Sequence, residues 1–193
     1  MFGAAQARAL PTSRHPPSTL IDSQGASDIS NFAAVSVSGD GLTIVASSIG
    51  RSEYFAGEGV VLVWQRLPSH NSFDNATYQE LREAENLASN YLGSYLCMSE
   101  DGLTIVASAA RSLTYTVNDV KGYMVVWRRS NSTEPFLDSS LVRLELSDVD
   151  HPRTLSPMWI STDGNTVLAS TTVKVGSYYQ KRLATFDNID RHF

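Results

Sequence analysis

Cysteine is all but missing from this chain: Cys97 is the single one in 193 residues. One thiol closes no disulfide within the chain and builds no multi-thiolate metal site. Its neighbours Leu96 and Met98 place it on a strand, where it reads as a buried, inert thiol. Basic clusters are missing too. The net charge is −5, and Lys121, Arg128-Arg129 and Lys181-Arg182 stand apart among acidic or neutral neighbours, as ordinary solvated positions. Binding a phosphate backbone needs a concentration of Lys and Arg that is absent here, so nucleic acid is not an expected partner. No apolar run approaches the ~20 residues of a membrane span. The first residues, Met1-Phe2-Gly3-Ala4-Ala5-Gln6-Ala7-Arg8, lack the basic-then-apolar order of a signal peptide, so the sequence assigns no compartment.

The usual catalytic signatures are also wanting. His15, His70, His151 and His192 form no His-x-x-x-His pair, and there is no Gly-x-Ser-x-Gly elbow or phosphate-cradling glycine loop. Ser147-Asp148-Val149-Asp150-His151, followed by Pro152, reads as a polar loop between sheets. Gly57-Glu58-Gly59 reads as loop punctuation, and Glu83 and Glu85 as solvated carboxylates without the burial that acid catalysis needs. No residue is therefore assigned a catalytic, cofactor-binding or metal-binding role. Two glycosylation sequons, Asn75-Ala76-Thr77 and Asn131-Ser132-Thr133, fall in expected outer loops, and whether they carry glycans is not a sequence question.

What the chain does have is one motif in three copies. Ser38-Gly39-Asp40-Gly41-Leu42-Thr43-Ile44-Val45-Ala46-Ser47 returns as Ser99-Glu100-Asp101-Gly102-Leu103-Thr104-Ile105-Val106-Ala107-Ser108. A looser copy runs Ser161-Thr162-Asp163-Gly164-Asn165-Thr166-Val167-Leu168-Ala169-Ser170. The Asp-Gly pairs at 40, 101 and 163 are 61 and 62 residues apart, the mark of a repeat architecture. Each motif reads as a hairpin turn, with Asp40, Gly41, Asp101, Gly102, Asp163 and Gly164 as structural turn residues. An alternating strand precedes it (Ala34 to Ser38, Ser94 to Ser99, Pro157 to Ile160) and a β-branched one follows (Leu42 to Ser47, Leu103 to Ala109, Thr166 to Ser170). Third strands end in an aromatic residue: Val60 to Trp64, Tyr123 to Trp127, and Arg182 to Phe186. Those rings are expected to pack between neighbouring sheets.

Fourth strands are weaker, around Thr77 to Arg82 and Phe136 to Leu146. Tyr78 to Asn90 taken alone would pass as a helix, but the equivalent slots at Leu20-Ile21-Asp22 and Leu141-Val142-Arg143-Leu144 favour a strand. With Leu20-Ile21 counted as a fourth strand, the chain has twelve strands. The expected fold is all-β, a propeller-like array of three four-stranded antiparallel blades over residues 19–193, behind a disordered leader at 1–18 that carries Pro11, Pro16 and Pro17.

These residues resemble FG-GAP-type β-propeller repeats, the integrin-alpha-like and algal long form whose unit matches this period. Repeat two fits best: Leu92-Gly93 stands for the opening Phe-Gly, Ser99-Glu100-Asp101-Gly102 for the turn, and Gly122 to Trp127 for the closing strand. WD-type repeats share the turn and the strand ending in Trp, but their unit of about 40–45 residues fits poorly. The calcium loop Asp-x-Asp-x-Asp-Gly of integrin-type members is absent, so the resemblance implies the fold without the metal. It implies a non-catalytic module that binds a protein or glycan through variable loops. Ser48–Gly59 and Ala109–Gly122 are the natural contact loops, with Tyr54, Phe55, Arg111 and Tyr115 as candidate anchors. The alternative is a carbohydrate-active hydrolase with carboxylates such as Glu53 and Asp119 on those same loops. Closed propellers use about four to eight blades, so three invite either a second copy of the chain or further blades.

Overall fold

Short alternating or β-branched runs, each stopped by Gly, Asp, Asn or Ser, favour strands over helices along the repeats. The computed structural model describes residues 32–50, 57–83, 91–110, 122–146 and 154–189. They form three antiparallel sheets. The first runs β1 (Phe32–Val37), β2 (Thr43–Ser48), β3 (Val60–Gln65) and β4 (Thr77–Leu81), paired in that order. The second repeats the series as β5 (Leu96–Met98), β6 (Thr104–Ala110), β7 (Gly122–Arg128) and β8 (Ser140–Leu144). The third contains β9 (Thr154–Ile160), β10 (Thr166–Val175) and β11 (Tyr178–Asp187), with β10 in the middle.

Two described segments differ from expectation for physical reasons, and one expected strand is not among the described residues. The third sheet has three strands among the described residues; its expected fourth, at Leu20-Ile21, and the leader at 1–18 lie outside them. The segment Phe136 to Leu146 is not one strand. It opens with a 3₁₀ turn, Phe136–Asp138, after the extended Pro135, and pairs only from Ser140. In the third sheet β10 and β11 form one long hairpin closed by Gly176-Ser177, with Val175 opposite Tyr178, where the other repeats carry long excursions. Tyr78 to Leu81 is strand as read, pairing with β3, while residues 84–90 lie outside the described residues.

The sheets pack face to face through side chains that alternate across each strand. Val45, Val61, Val63 and Leu81 of the first sheet meet Ile105, Ala107, Val125 and Trp127 of the second. The second sheet's other face, with Val106, Met124, Val126 and Leu144, meets Leu155, Ile160, Val167 and Ala169 of the third. Trp127 is 3% exposed in the first of these layers, and Phe186 packs against the second. Trp64, at the same repeat slot, is buried on the first sheet's outward face beside Leu62, Phe73 and Tyr78. Edge strands β1, β5 and β9 run side by side along one margin of the stack.

Candidate functional site

The three turns share one hydrogen-bond pattern. In each, the Ser hydroxyl donates to the Asp carboxylate two residues on, at 2.6 Å for Ser38–Asp40, 2.5 Å for Ser99–Asp101 and 2.6 Å for Ser161–Asp163. The same Ser oxygen accepts the amide of Thr43, Thr104 or Thr166 at 2.9–3.0 Å. The Asp carboxylate accepts the amide of Leu42, Leu103 or Asn165. The glycine that follows the Asp, Gly41, Gly102 or Gly164, sits at φ between +67° and +71°, a conformation that favours glycine. Gly39 is there for another reason. A Cβ on it would stand 2.5 Å from Glu100 Cγ, because Gly39 N–H donates to the Glu100 carbonyl of the next turn at 2.7 Å. Asp101 N–H reaches the Thr162 carbonyl at 3.2 Å in the same way, so the turns form a row.

Arginines bind this row together, which corrects the expectation that Arg128 and Arg129 are merely solvated. Arg129 is 2% exposed. It donates to the Gly102 carbonyl of its own turn, to Glu134 O, and across the sheet junction to Gln65 Oε1 at 2.7 Å and Thr43 Oγ1 at 3.4 Å. Burial lowers its pKa, and the nearby Asp40, Asp101 and Glu134 charges pull the other way. Arg128, half-buried, reaches forward to the Gly164 and Asp163 carbonyls of the third turn.

Between the turn row and the edge strands lies a groove of about 300 Å³, lined by Val37, Cys97, Met98, Met158, Trp159 and Ile160, with Gly39, Glu100 and Thr162 at its polar end. The repeat puts Val37, Met98 and Ile160 at one slot, each the last residue of its edge strand. Trp159 is 54% exposed and Met158 is 60% exposed. A bulge between Leu168 and Ala169 shifts the β9 register there, leaving Met158 unpaired between Trp159 and Pro157. Glu100 is the one carboxylate in the described lining, and its Oε2 accepts from Thr162 Oγ1 at 3.0 Å. Cys97 also lines the groove and is half-buried, not sealed as expected, and desolvation pushes its thiol up to about 12, which disfavours the thiolate near neutral pH.

A second polar cluster overturns the reading of Glu83 as a solvated carboxylate. Glu83 is 5% exposed, and it accepts from the Tyr123 hydroxyl and pairs with Arg143, whose guanidinium lies 4.5 Å over the Tyr123 ring. These groups tie the end of β4 to the second sheet. Glu58 is buried as well, 3.6 Å from Arg82, so Gly57-Glu58-Gly59 is more than punctuation. Both carboxylates face arginines, an arrangement that suits a structural joint. The pairing of Glu83 with residues 40 and 60 positions away left no local sequence signal.

Tyr54, Phe55, Arg111 and Tyr115, with Glu53 and Asp119, lie outside the described residues, as does Asp148 to His151. Asn75 and Asn131 are exposed, in the equivalent β3–β4 and β7–β8 connections. Among the described residues no group of three or more His, Cys, Asp or Glu could hold a metal ion, and no helix is long and apolar enough to cross a membrane. No protein-family description matches the chain, and no curated protein does. Among solved structures the chain is similar to the crystal structure of the tricorn protease, at a TM-score of 0.45 and 8% identity over 80% of this chain. That similarity covers 13% of the tricorn chain, so this chain spans only a small part of that protein's length.

Proposed function

We propose that the chain is an array of FG-GAP-type β-propeller blades and works as a non-catalytic binding module. Its groove takes an apolar, aromatic-bearing segment of a protein partner. The fold part of the reading is supported by the face-to-face sheets with β1, β5 and β9 side by side, the placement that blades around an axis require. It is supported also by the opening pair Leu92-Gly93. Leu92 is buried in the first core layer, and Gly93 has a φ of +88°, where a Cβ would stand 2.4 Å from Ser47 Cβ.

The binding part rests on one observation: Trp159 and Met158 stand open to solvent beside Val37 at the mouth of a groove with an apolar side and a polar end. Exposed aromatic and Met side chains around a concavity are what interface hot spots are made of. A glycan would also stack on Trp159, and Glu100 and Thr162 at the polar end offer hydrogen-bonding groups to its hydroxyls, so a glycan array is the direct comparison. A glycosidase needs two carboxylates facing one bond, and the described lining has Glu100 alone.

The test is a peptide-display selection on the full chain, run beside a glycan array and an assay for glycoside hydrolysis. Selected peptides are expected to be rich in apolar and aromatic residues and to lose about tenfold or more in affinity for Trp159→Ala, as a hot-spot truncation does. Binding indifferent to Trp159→Ala and Met158→Ser would move the partner elsewhere on the surface. Glycan binding or glycoside turnover would replace the proposal.

A further inference from the structure

The two ends of the sheet stack expose what its middle buries. In the second sheet, covered on both faces, Leu96 opposite Ala107 is 9% exposed and Met124 opposite Ser108 is 0% exposed. The same repeat slots at the ends hold Val35, opposite Ala46, and Leu183, opposite Ser170, each 68% exposed. A hydrophobic side chain at a slot that the repeat elsewhere seals against a neighbouring sheet continues an interface already present twice in the chain.

A polar device breaks off at the same two ends. Arg66 and Arg129 share one slot. Each gives Nε to the carbonyl of its own turn glycine, Gly41 at 3.3 Å and Gly102 at 3.1 Å. Each gives a terminal amino group to a loop carbonyl, His70 or Glu134, and lies over a ring, Phe73 at 5.5 Å or Phe136 at 4.3 Å. Arg129 directs its remaining donors to Gln65 and Thr43 of the preceding sheet. The remaining donors of Arg66 have no protein partner among the described residues. In the third sheet the slots of Gln65 and Thr43 hold Asp187 and Thr166, paired across β10 and β11 as Gln65 and Thr43 are across β2 and β3. Asp187 is exposed. The backbone is complementary as well. Among the described residues the turn row leaves the Gly39 carbonyl at one end and the amides of Thr162 and Asp163 at the other, the acceptor and donors of the joint made between its inner members.

We propose that the open face of the third sheet takes the first sheet of a second copy of this chain, head to tail, and that two copies joined at both ends close a six-sheet ring. Leu168 and Leu183 would lie against Phe32 and Val35, Asp187 and Thr166 would take Arg66, and the Thr162–Asp163 backbone would take the Gly39 carbonyl. The outer half of the first sheet's face is already closed over Leu62 and Trp64 by Phe73, Ala76 and Tyr78, so the contact falls on its edge strand and turn. Six sheets lie within the roughly four to eight that close on themselves, and a head-to-tail contact closes when its rotation permits. The proposal is independent of what the groove binds.

Sedimentation velocity of the full chain, from about 1 to about 100 µM, reads the result by mass action. The expected species has twice the 21.1 kDa chain mass. Asp187→Arg sets two cations together at each joint and is expected to weaken association at least about tenfold, as is Arg66→Glu, while the doubly exchanged variant recovers it. Leu183→Lys changes a side chain already in solvent, so it keeps the chain folded while opposing the apolar contact. A single-chain mass over the whole range overturns the proposal. So does an open ladder of higher masses, an Asp187→Arg chain that associates like the parent, or a charge-exchanged pair that fails to recover.

Discussion

At the residue scale, the Ser-x-Asp-Gly serine does more than its size suggests. Ser99 is 0% exposed, and its one hydroxyl both donates to Asp101 and accepts the Thr104 amide. Ser99→Ala leaves that amide without a partner in a buried turn, a cost of about 1–3 kcal/mol in urea unfolding. Ser161→Ala, on a half-buried serine, is expected to cost less than about 1 kcal/mol, since water replaces the lost bond. The Ser161 hydroxyl, followed by the Asn165 amide and side chain, holds the Asp163 carboxyl below its ordinary value, so Ser161→Ala should raise the carboxyl's midpoint in a ¹³C NMR titration. Cys97 makes the opposite case. Its thiol is raised from 9.0 to about 12 by burial, so folding favours the protonated form. That contribution is complete below pH 9 and is lost between pH 9 and about 12, as the unfolded thiol ionises first. Melts across this window are expected to fall more steeply for the parent than for Cys97→Ala, and a native thiol should ignore a disulfide reagent at pH 8 that it consumes once unfolded.

At the element scale, each sheet junction combines an apolar layer with one arginine. Arg129→Lys keeps the charge but loses the fork that serves Gly102, Gln65 and Thr43 together. It is expected to cost about 1–3 kcal/mol, because at least one buried acceptor is stranded. Arg66→Lys, which meets no preceding sheet within one chain, is expected to cost under about 1 kcal/mol in the same denaturation experiment run dilute enough to keep the chains apart. Strand identities were open to sequence reasoning because the period-2 alternation and the turn residues agree in all three copies. The break at Phe136–Asp138 was not, since Pro135 and the pull of Phe136 into the first core layer act through tertiary contact. The same holds for Arg129, whose neighbours in sequence are polar while its neighbours in space are Phe136, Gln65 and Thr43.

At the scale of the whole molecule, the three sheets of the described residues make two sealed junctions and leave apolar side chains exposed on the two outer faces. An array with free ends is a one-dimensional stack, whose terminal members need a partner or a polar cap. Leu183 and Val35 are not such caps, and this is why solution mass is the informative measurement on this protein. The groove between the turn row and the edge strands belongs to this scale too. No single repeat contains it, and the residues that open it, Trp159 and Met158, belong to the most degenerate copy of the motif.

The sequence by itself determined the repeat, its strand order and the turn chemistry. Those depend on side-chain period, on a serine and an aspartate within reach of nearby amides, and on glycine at positive φ, all interactions between near neighbours along the chain. Which charges are buried, where the groove opens and which apolar slots stay exposed were decided only when the sheets packed. Each depends on residues 40 to 64 positions apart meeting across a junction: Arg129 with Gln65, Glu83 with Tyr123 and Arg143, Gly39 with Glu100. Local hydrogen bonds write themselves into a period, whereas desolvation is a property of the assembled surface.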